Sequence, residues 1–232
     1  MSSTRRDQPN ILFVMADQMT PFMLDACAGV GAKMTNLKAL ADRGVHFTNA
    51  YTASPICTPA RSALMTGLHI SKTGSYDNGD PFPSFIPTFA HYLTNAGYEV
   101  VLSGKMHFIG PDQVHGFNER ITTDIYPSNF AWTPDWIVGE RYRPTGINPR
   151  AVVEAGKSRR NLQVDYDDEV AHAGVQKIYD LARFNRTDPF MMWISFTHPH
   201  SPFVTHPRYW DMFDHDKIDM PKVDPIPVDE LD

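Results

Sequence analysis

The sequence predicts an α/β fold, with a mostly parallel central sheet flanked by helices. Residues 11–16, 98–103 and 190–197 are short, nearly continuous apolar runs, the signature of strands covered on both faces. Between them lie segments with helical spacing, and strands that alternate with helices join by crossovers into a parallel sheet.

Each element has its own local reason. Residues 11–16 (ILFVMA) open the sheet. Residues 35–43 set Leu37, Leu40 and Ala41 at helical spacing and stop at Gly44, which predicts a short helix. Residues 45–51 alternate and are expected to form a strand. Residues 59–66 are expected to form a helix, with Pro59 in its first turn and Gly67 at its end. Residues 87–95 form the next helix, closed by Gly97, and lead into the second buried strand. From 110 to 163, Pro, Gly, Asn and aromatic residues predict loops and short elements. Residues 167–186 carry Val170, Val175, Ile178 and Leu181 at helical spacing, until Asp188-Pro189 breaks the helix before the third strand. After Pro207, the closely spaced Pro221, Pro225 and Pro227 read as a connection toward a further part of a larger protein.

Composition excludes several classes. The chain of 232 residues is 42% hydrophobic and 21% charged, which suits a globular domain with a sizeable core. A formal net charge of -6, with no basic stripe, argues against a nucleic-acid partner. Two cysteines, Cys27 and Cys57, do not make a disulfide framework. The polar MSSTRRDQPN runs straight into a core-like strand and lacks the apolar stretch of a signal peptide. No segment approaches the roughly 20 apolar residues of a membrane span. The expectation is a cytoplasmic protein without a membrane partner.

In open parallel sheets, ligands bind beyond the carboxyl ends of the strands. Asp17-Gln18 follows the first strand, Lys105 and His107 the second, and His198 and His200 the third. Singly, such residues are turn formers or surface groups. Together they bring an acid, a cation and imidazoles to one sheet edge.

The stretch Cys57-Thr58-Pro59-Ala60-Arg61-Ser62-Ala63-Leu64-Met65-Thr66-Gly67 gives that edge a chemistry. It resembles the signature of the type I sulfatases, C-x-P-x-R followed by two small residues, an apolar pair and Thr-Gly. The resemblance implies an alkaline-phosphatase-like sandwich. It also implies that a formylglycine-generating enzyme oxidises Cys57 to formylglycine, whose hydrate attacks sulfur with one hydroxyl and helps expel sulfate with the other. A helix start suits that task, because its N–H groups and dipole favour anions.

Further roles carry over from the resemblance. Asp17 matches the first acidic metal ligand, and Gln18 stands where many sulfatases have a second Asp, making the site one charge less negative. With Cys57 they would hold a divalent cation, calcium first, with magnesium or manganese as alternatives. Arg61 matches the arginine that supports the diol oxygen, Lys105 the sulfate-binding lysine and His107 the histidine beside the nucleophile. His200, in H-x-P, matches a general-acid candidate near the leaving group. The family's later Asp-Asn or Asp-His pair and second lysine are not found beyond Pro207, and Asp214-His215 reads as surface. The expected organisation is therefore residues 1–207 as the N-terminal part of a catalytic domain and 208–232 as a connecting segment.

Three stretches, NILFVMADQM, SPICTPARSALMTG and THPRYWDMFD, are similar to the choline-sulfatase subgroup. That implies a small-molecule sulfate ester as substrate and a homo-oligomer. Trp132 is the candidate for a cation–π contact to a trimethylammonium group, worth roughly 0.5–2 kcal/mol, while Trp136 is read as loop packing. Two other readings stay open: a phosphonate or phosphate monoester hydrolase on the same scaffold, and a non-catalytic sulfatase-like domain.

Overall fold

The computed structural model describes residues 8–20, 34–126, 150–183 and 188–218. In chain order the elements are β1 (Ile11–Ala16), α1 (Thr35–Ala41), α2 (Cys57–Thr66), α3 (Ile70–Thr73), α4 (Phe89–Asn95), β2 (Glu99–Gly104) and β3 (Glu119–Arg120). They continue with α5 (Arg150–Val153), β4 (Gly156–Lys157), α6 (Leu162–Arg183), β5 (Phe190–Phe196), β6 (Val204–Thr205), α7 (Pro207–Trp210) and a 3-10 turn, His215–Lys217.

Four strands form one parallel sheet in the order β1-β5-β2-β3, and β4 pairs with β6 in a second, two-stranded sheet. The register sets the site. Ala16 lies opposite Phe196 and Gly104 opposite Ser195, so β1, β5 and β2 stop level. Asp17, Lys105 and Thr197 therefore leave the sheet from one edge. Gly104 is required there, because a Cβ on it would lie 2.0 Å from the Ser195 carbonyl oxygen.

Alternation along the strands builds a core on each face. Val100, Leu102, Met191 and Trp193 face Met65 of α2 and Ala90 of α4, whereas Val101, Met192 and Ile194 face Tyr166 and Val170 of α6. Gly174 lets α6 come close, since a Cβ at this position would meet Ile194 Cδ1 at 2.8 Å.

Several boundaries differ from the sequence expectation. Helix α6 starts at Leu162, five residues early, because the Asn161 side chain accepts from Val164 N at 2.8 Å and caps it. Helix α2 starts at Cys57 rather than Pro59. Ile56 is its extended cap residue, and the missing proline N–H costs little in a first turn. Helix α4 starts at Phe89 behind a capping box formed by Thr88 and His91.

Two expectations are corrected. Residues 45–51 form no strand; Val45, Phe47 and Tyr51 are 77, 76 and 93% exposed, and no described strand runs beside them to take their hydrogen bonds. Nor is β1 covered on both faces among the described residues. Helix α6 packs on β5 and β2, which leaves Leu12 and Val14 exposed on that side, while Ile11 and Met15 pack into the other core. No described helix is long and apolar enough to cross a membrane.

Candidate active site

The start of α2 lies at the carboxyl edge of the sheet, and Arg61 ties it there. Its Nη1 donates to the Lys105 carbonyl (2.6 Å) and to Ser195 Oγ (3.1 Å), and its Nη2 to Asp17 Oδ2 (2.7 Å). One side chain thus joins the ends of β1, β2 and β5. The helix start is fixed twice more: Thr58 N donates to Asn78 Oδ1 at 3.0 Å, and Thr58 Oγ1 to the His107 carbonyl at 3.2 Å.

Cys57 sits where these ties meet. Its Sγ lies 3.7 Å from Asp17 Oδ1 and 3.6 Å from Lys105 Nζ, and Lys105 Nζ lies 2.7 Å from Asp17 Oδ2. A ring nitrogen of His200 comes within 4.8 Å of both the Asp17 carboxylate and Cys57 Sγ. The thiol stands in for the oxygens that the sulfatase resemblance places at this position.

Charge is arranged to favour an anion. Arg61 and Lys105 are sealed from solvent, at 2 and 0% exposure, and share one carboxylate oxygen. The nearby Asp124 is matched by Arg120 at 2.8 Å, which leaves one positive charge over. Burial raises the Asp17 carboxyl, but Lys105 and Arg61 outweigh it and hold the group below its usual range. Burial pushes the Cys57 thiol up, so the site does not favour a thiolate.

Both histidines are neutral near pH 7. Burial, followed by the Lys105 charge, lowers His107 to about 4. Its backbone is in the left-handed region (φ 56°), and its N–H donates to Asp124 Oδ2 at 2.7 Å. Burial likewise lowers His200. His200 Nδ1 lies 2.8 Å from the Ser201 carbonyl, which places the proton on Nδ1 and the lone pair on Nε2. In this form Nε2 accepts, and His200 can act as an acid only after taking a second proton.

The donor set fits part of a hard cation's shell. Asp17 Oδ1 is turned toward Cys57, whereas Oδ2 serves the two cations. A protonated thiol is a poor partner for calcium or magnesium, but an oxygen in its place would suit either. Gln18 follows Asp17 in left-handed backbone (φ 55°), with its side chain exposed.

Of the expected residues, the structure brings Asp17, Cys57, Arg61, Lys105, His107 and His200 together, and Asp214 and His215 are exposed. Trp132, Trp136 and Cys27 lie outside the described residues. Sequence reasoning missed Tyr126. Its ring lies 4.3 Å from Lys105 Nζ and 4.8 Å from the His107 ring, and its hydroxyl 3.4 Å from His200 Nδ1. Nothing in the aperiodic stretch around it gave a signal. Ser195 did offer one, as a hydroxyl inside the apolar run FMMWISF.

The carboxyl edge of a parallel α/β sheet thus holds a cysteine at a helix start, with Lys105 beside its sulfur and Arg61 on the carboxylate that Lys105 shares. The chain belongs to the sulfatase family, whose profile matches residues 9–224. It is 46% identical to the choline-sulfatase of Rhizobium meliloti over 229 residues, covering 97% of this chain and 45% of that protein. Among solved structures, the phosphonate monoester hydrolase of Silicibacter pomeroyi superposes with a TM-score of 0.66 at 21% identity, over 92% of this chain and 46% of that one. The phosphonate monoester hydrolase of Agrobacterium radiobacter gives 0.60 at 26% identity, over 89 and 44%. The fold is the alkaline-phosphatase-like one expected, and the chain spans about half the length of the relatives it matches.

Proposed function

We propose that this chain forms the nucleophile-bearing part of a sulfuric ester hydrolase that converts choline O-sulfate to choline and sulfate. The observation that carries the reading is the pair of sealed cations, Arg61 and Lys105, set against the single Asp17 carboxylate beside Cys57. One positive charge is left over at the start of α2, where the helix dipole also favours an anion. The 46% identity to a choline-sulfatase supports the choice of ester.

In this reading Cys57 is converted to formylglycine by a formylglycine-generating enzyme. The hydrated aldehyde would supply the attacking oxygen, and the raised thiol supports a nucleophile other than a thiolate. Asp17 and Gln18, with an oxygen at position 57, would contribute to holding a divalent cation, calcium first, which lowers the cost of deprotonating a hydroxyl. Lys105 binds a sulfate oxygen and Arg61 orients the oxygen at position 57. His107, neutral and walled by Tyr126, hydrogen-bonds at the nucleophile, and His200 faces the leaving-group oxygen. Trp132 would contact the trimethylammonium group through its ring face.

A substrate panel tests the assignment: choline O-sulfate, an uncharged aryl sulfate and a phosphonate monoester, on the protein as its host makes it and on Trp132→Ala. Choline O-sulfate is expected to give the highest kcat/KM and to lose about tenfold or more in Trp132→Ala, with the aryl sulfate little changed. Equal losses on both sulfates would reject the ammonium role. A preference for the phosphonate monoester would move the protein to the second reading, which the 26% identity to the Agrobacterium radiobacter enzyme favours. Binding without turnover on all three would leave a non-catalytic domain.

A further inference from the structure

His200 lies in the loop that leaves β5, and the first turns of α6 grip this loop at its base. The Asp167 carboxylate accepts four hydrogen bonds from it. Oδ1 takes Thr197 N (2.7 Å) and Thr197 Oγ1 (3.0 Å), while Oδ2 takes His198 N (2.9 Å) and His198 Nδ1 (2.5 Å). On the far side, His198 Nε2 reaches the Val204 carbonyl at 2.9 Å, where the chain returns as β6. Gln163, buried one turn earlier in α6, donates Nε2 to the carbonyl of His200 itself at 2.9 Å.

These partners define the state of His198. A carboxylate and a backbone carbonyl are acceptors only, so both ring nitrogens must donate, and only the imidazolium does that. His198 is then a charged crosspiece, from α6 on one side to the returning strand on the other. A residue that only capped the end of β5 would not need the second nitrogen. The loop it spans carries the histidine whose ring must meet Cys57 and Asp17, and such precision comes from supports whose own positions are locked.

We propose that Asp167, His198 and Gln163 are positioning residues that act on the reaction through His200. The proposal rests on the sulfuric-ester reading, and its test separates the two.

The experiment is a double-mutant cycle on the protein as its host makes it. His198→Ala is expected to lower kcat about ten- to a hundredfold, the usual cost of removing an outer support, with inhibition by free sulfate unchanged because Lys105 and Arg61 are untouched. In a His200→Asn background the same substitution should cost less than about threefold, since the group it positions is gone. Equal losses in both backgrounds would overturn the proposal and make His198 a general structural residue. A His200→Asn variant as active as the parent would instead strike the reading of His200 on which the proposal rests.

A second arm does not depend on activity. Amide hydrogen exchange in His198→Ala should quicken in residues 197–204 and stay unchanged in α2 and β2. Unchanged exchange in that loop would overturn the proposal. If His198→Ala does not fold, Gln163→Leu takes its place, because it removes the tie to the His200 carbonyl and leaves the ion pair intact.

Discussion

The Lys105 ammonium lies 2.7 Å from the Asp17 carboxylate, and the first is wholly buried and the second 5% exposed. Arg61 takes the same carboxylate oxygen at 2.7 Å. Two cations share one carboxylate oxygen, so Asp17 neutralises only half of their charge.

That arrangement predicts the effect of Lys105→Ala. The variant should lose kcat/KM for a sulfate ester by about 10²–10³-fold, the range for removing one donor to developing negative charge. Inhibition by free sulfate should weaken in parallel. Lys105→Arg should not restore activity, because a planar fork cannot occupy the place of a point charge packed on the Tyr126 ring. Steady-state kinetics with sulfate as inhibitor reads all three, and an intact sulfate inhibition constant in Lys105→Ala would contradict the assignment.

Tyr126 touches Lys105 and His107 with its ring and approaches His200 with its hydroxyl. Two substitutions separate these contacts. Tyr126→Phe keeps the ring and should cost no more than about tenfold in kcat, the worth of one hydrogen bond. Tyr126→Leu also removes the cover from Lys105 and should raise KM as well. The kinetic split between the two variants checks this; identical behaviour would mean that the ring has no part in binding.

The Asp167–His198 pair predicts a pH dependence of stability. Burial lowers His198, but the hydrogen bond to Asp167, the Val204 carbonyl and the charges of Asp167 and Asp168 outweigh it, so the net shift is upward from 6.5. A group raised in the folded state stabilises fully below its unfolded pKa and loses that contribution as pH rises through the folded one. Unfolding free energy should therefore fall from about pH 6.5 upward by an increment that is absent in His198→Gln. Urea titrations of both proteins across that window measure it, and parallel curves would contradict it.

The clustering of the candidate residues was legible in the sequence because strand ends carry their chemistry with them. Asp17, Lys105 and His200 follow apolar runs that are easy to read, and parallel strands of level register must deliver such residues to one edge. The partners that complete the site were hidden for a physical reason. Tyr126 and Asp124 lie in aperiodic chain, and Asp167 meets His198 across 31 positions, so only the packing of α6 on the sheet reveals the pair. Asn161 could have been read as a helix cap, but the apolar spacing further along drew the boundary to Asp167. Residues 45–51 alternate as a strand should, yet alternation describes one side of a pairing, and a strand needs a neighbour to take its hydrogen bonds.

The most direct test is the chemical state of residue 57. Protein isolated from its native host is digested with trypsin, and the peptide from Gly44 to Arg61 is weighed by mass spectrometry. The expected peptide is lighter by the difference between a thiol side chain and an aldehyde, and it is lost in Cys57→Ala together with all turnover. A peptide carrying the unmodified thiol throughout, in protein that still hydrolyses sulfate esters, would contradict the formylglycine reading.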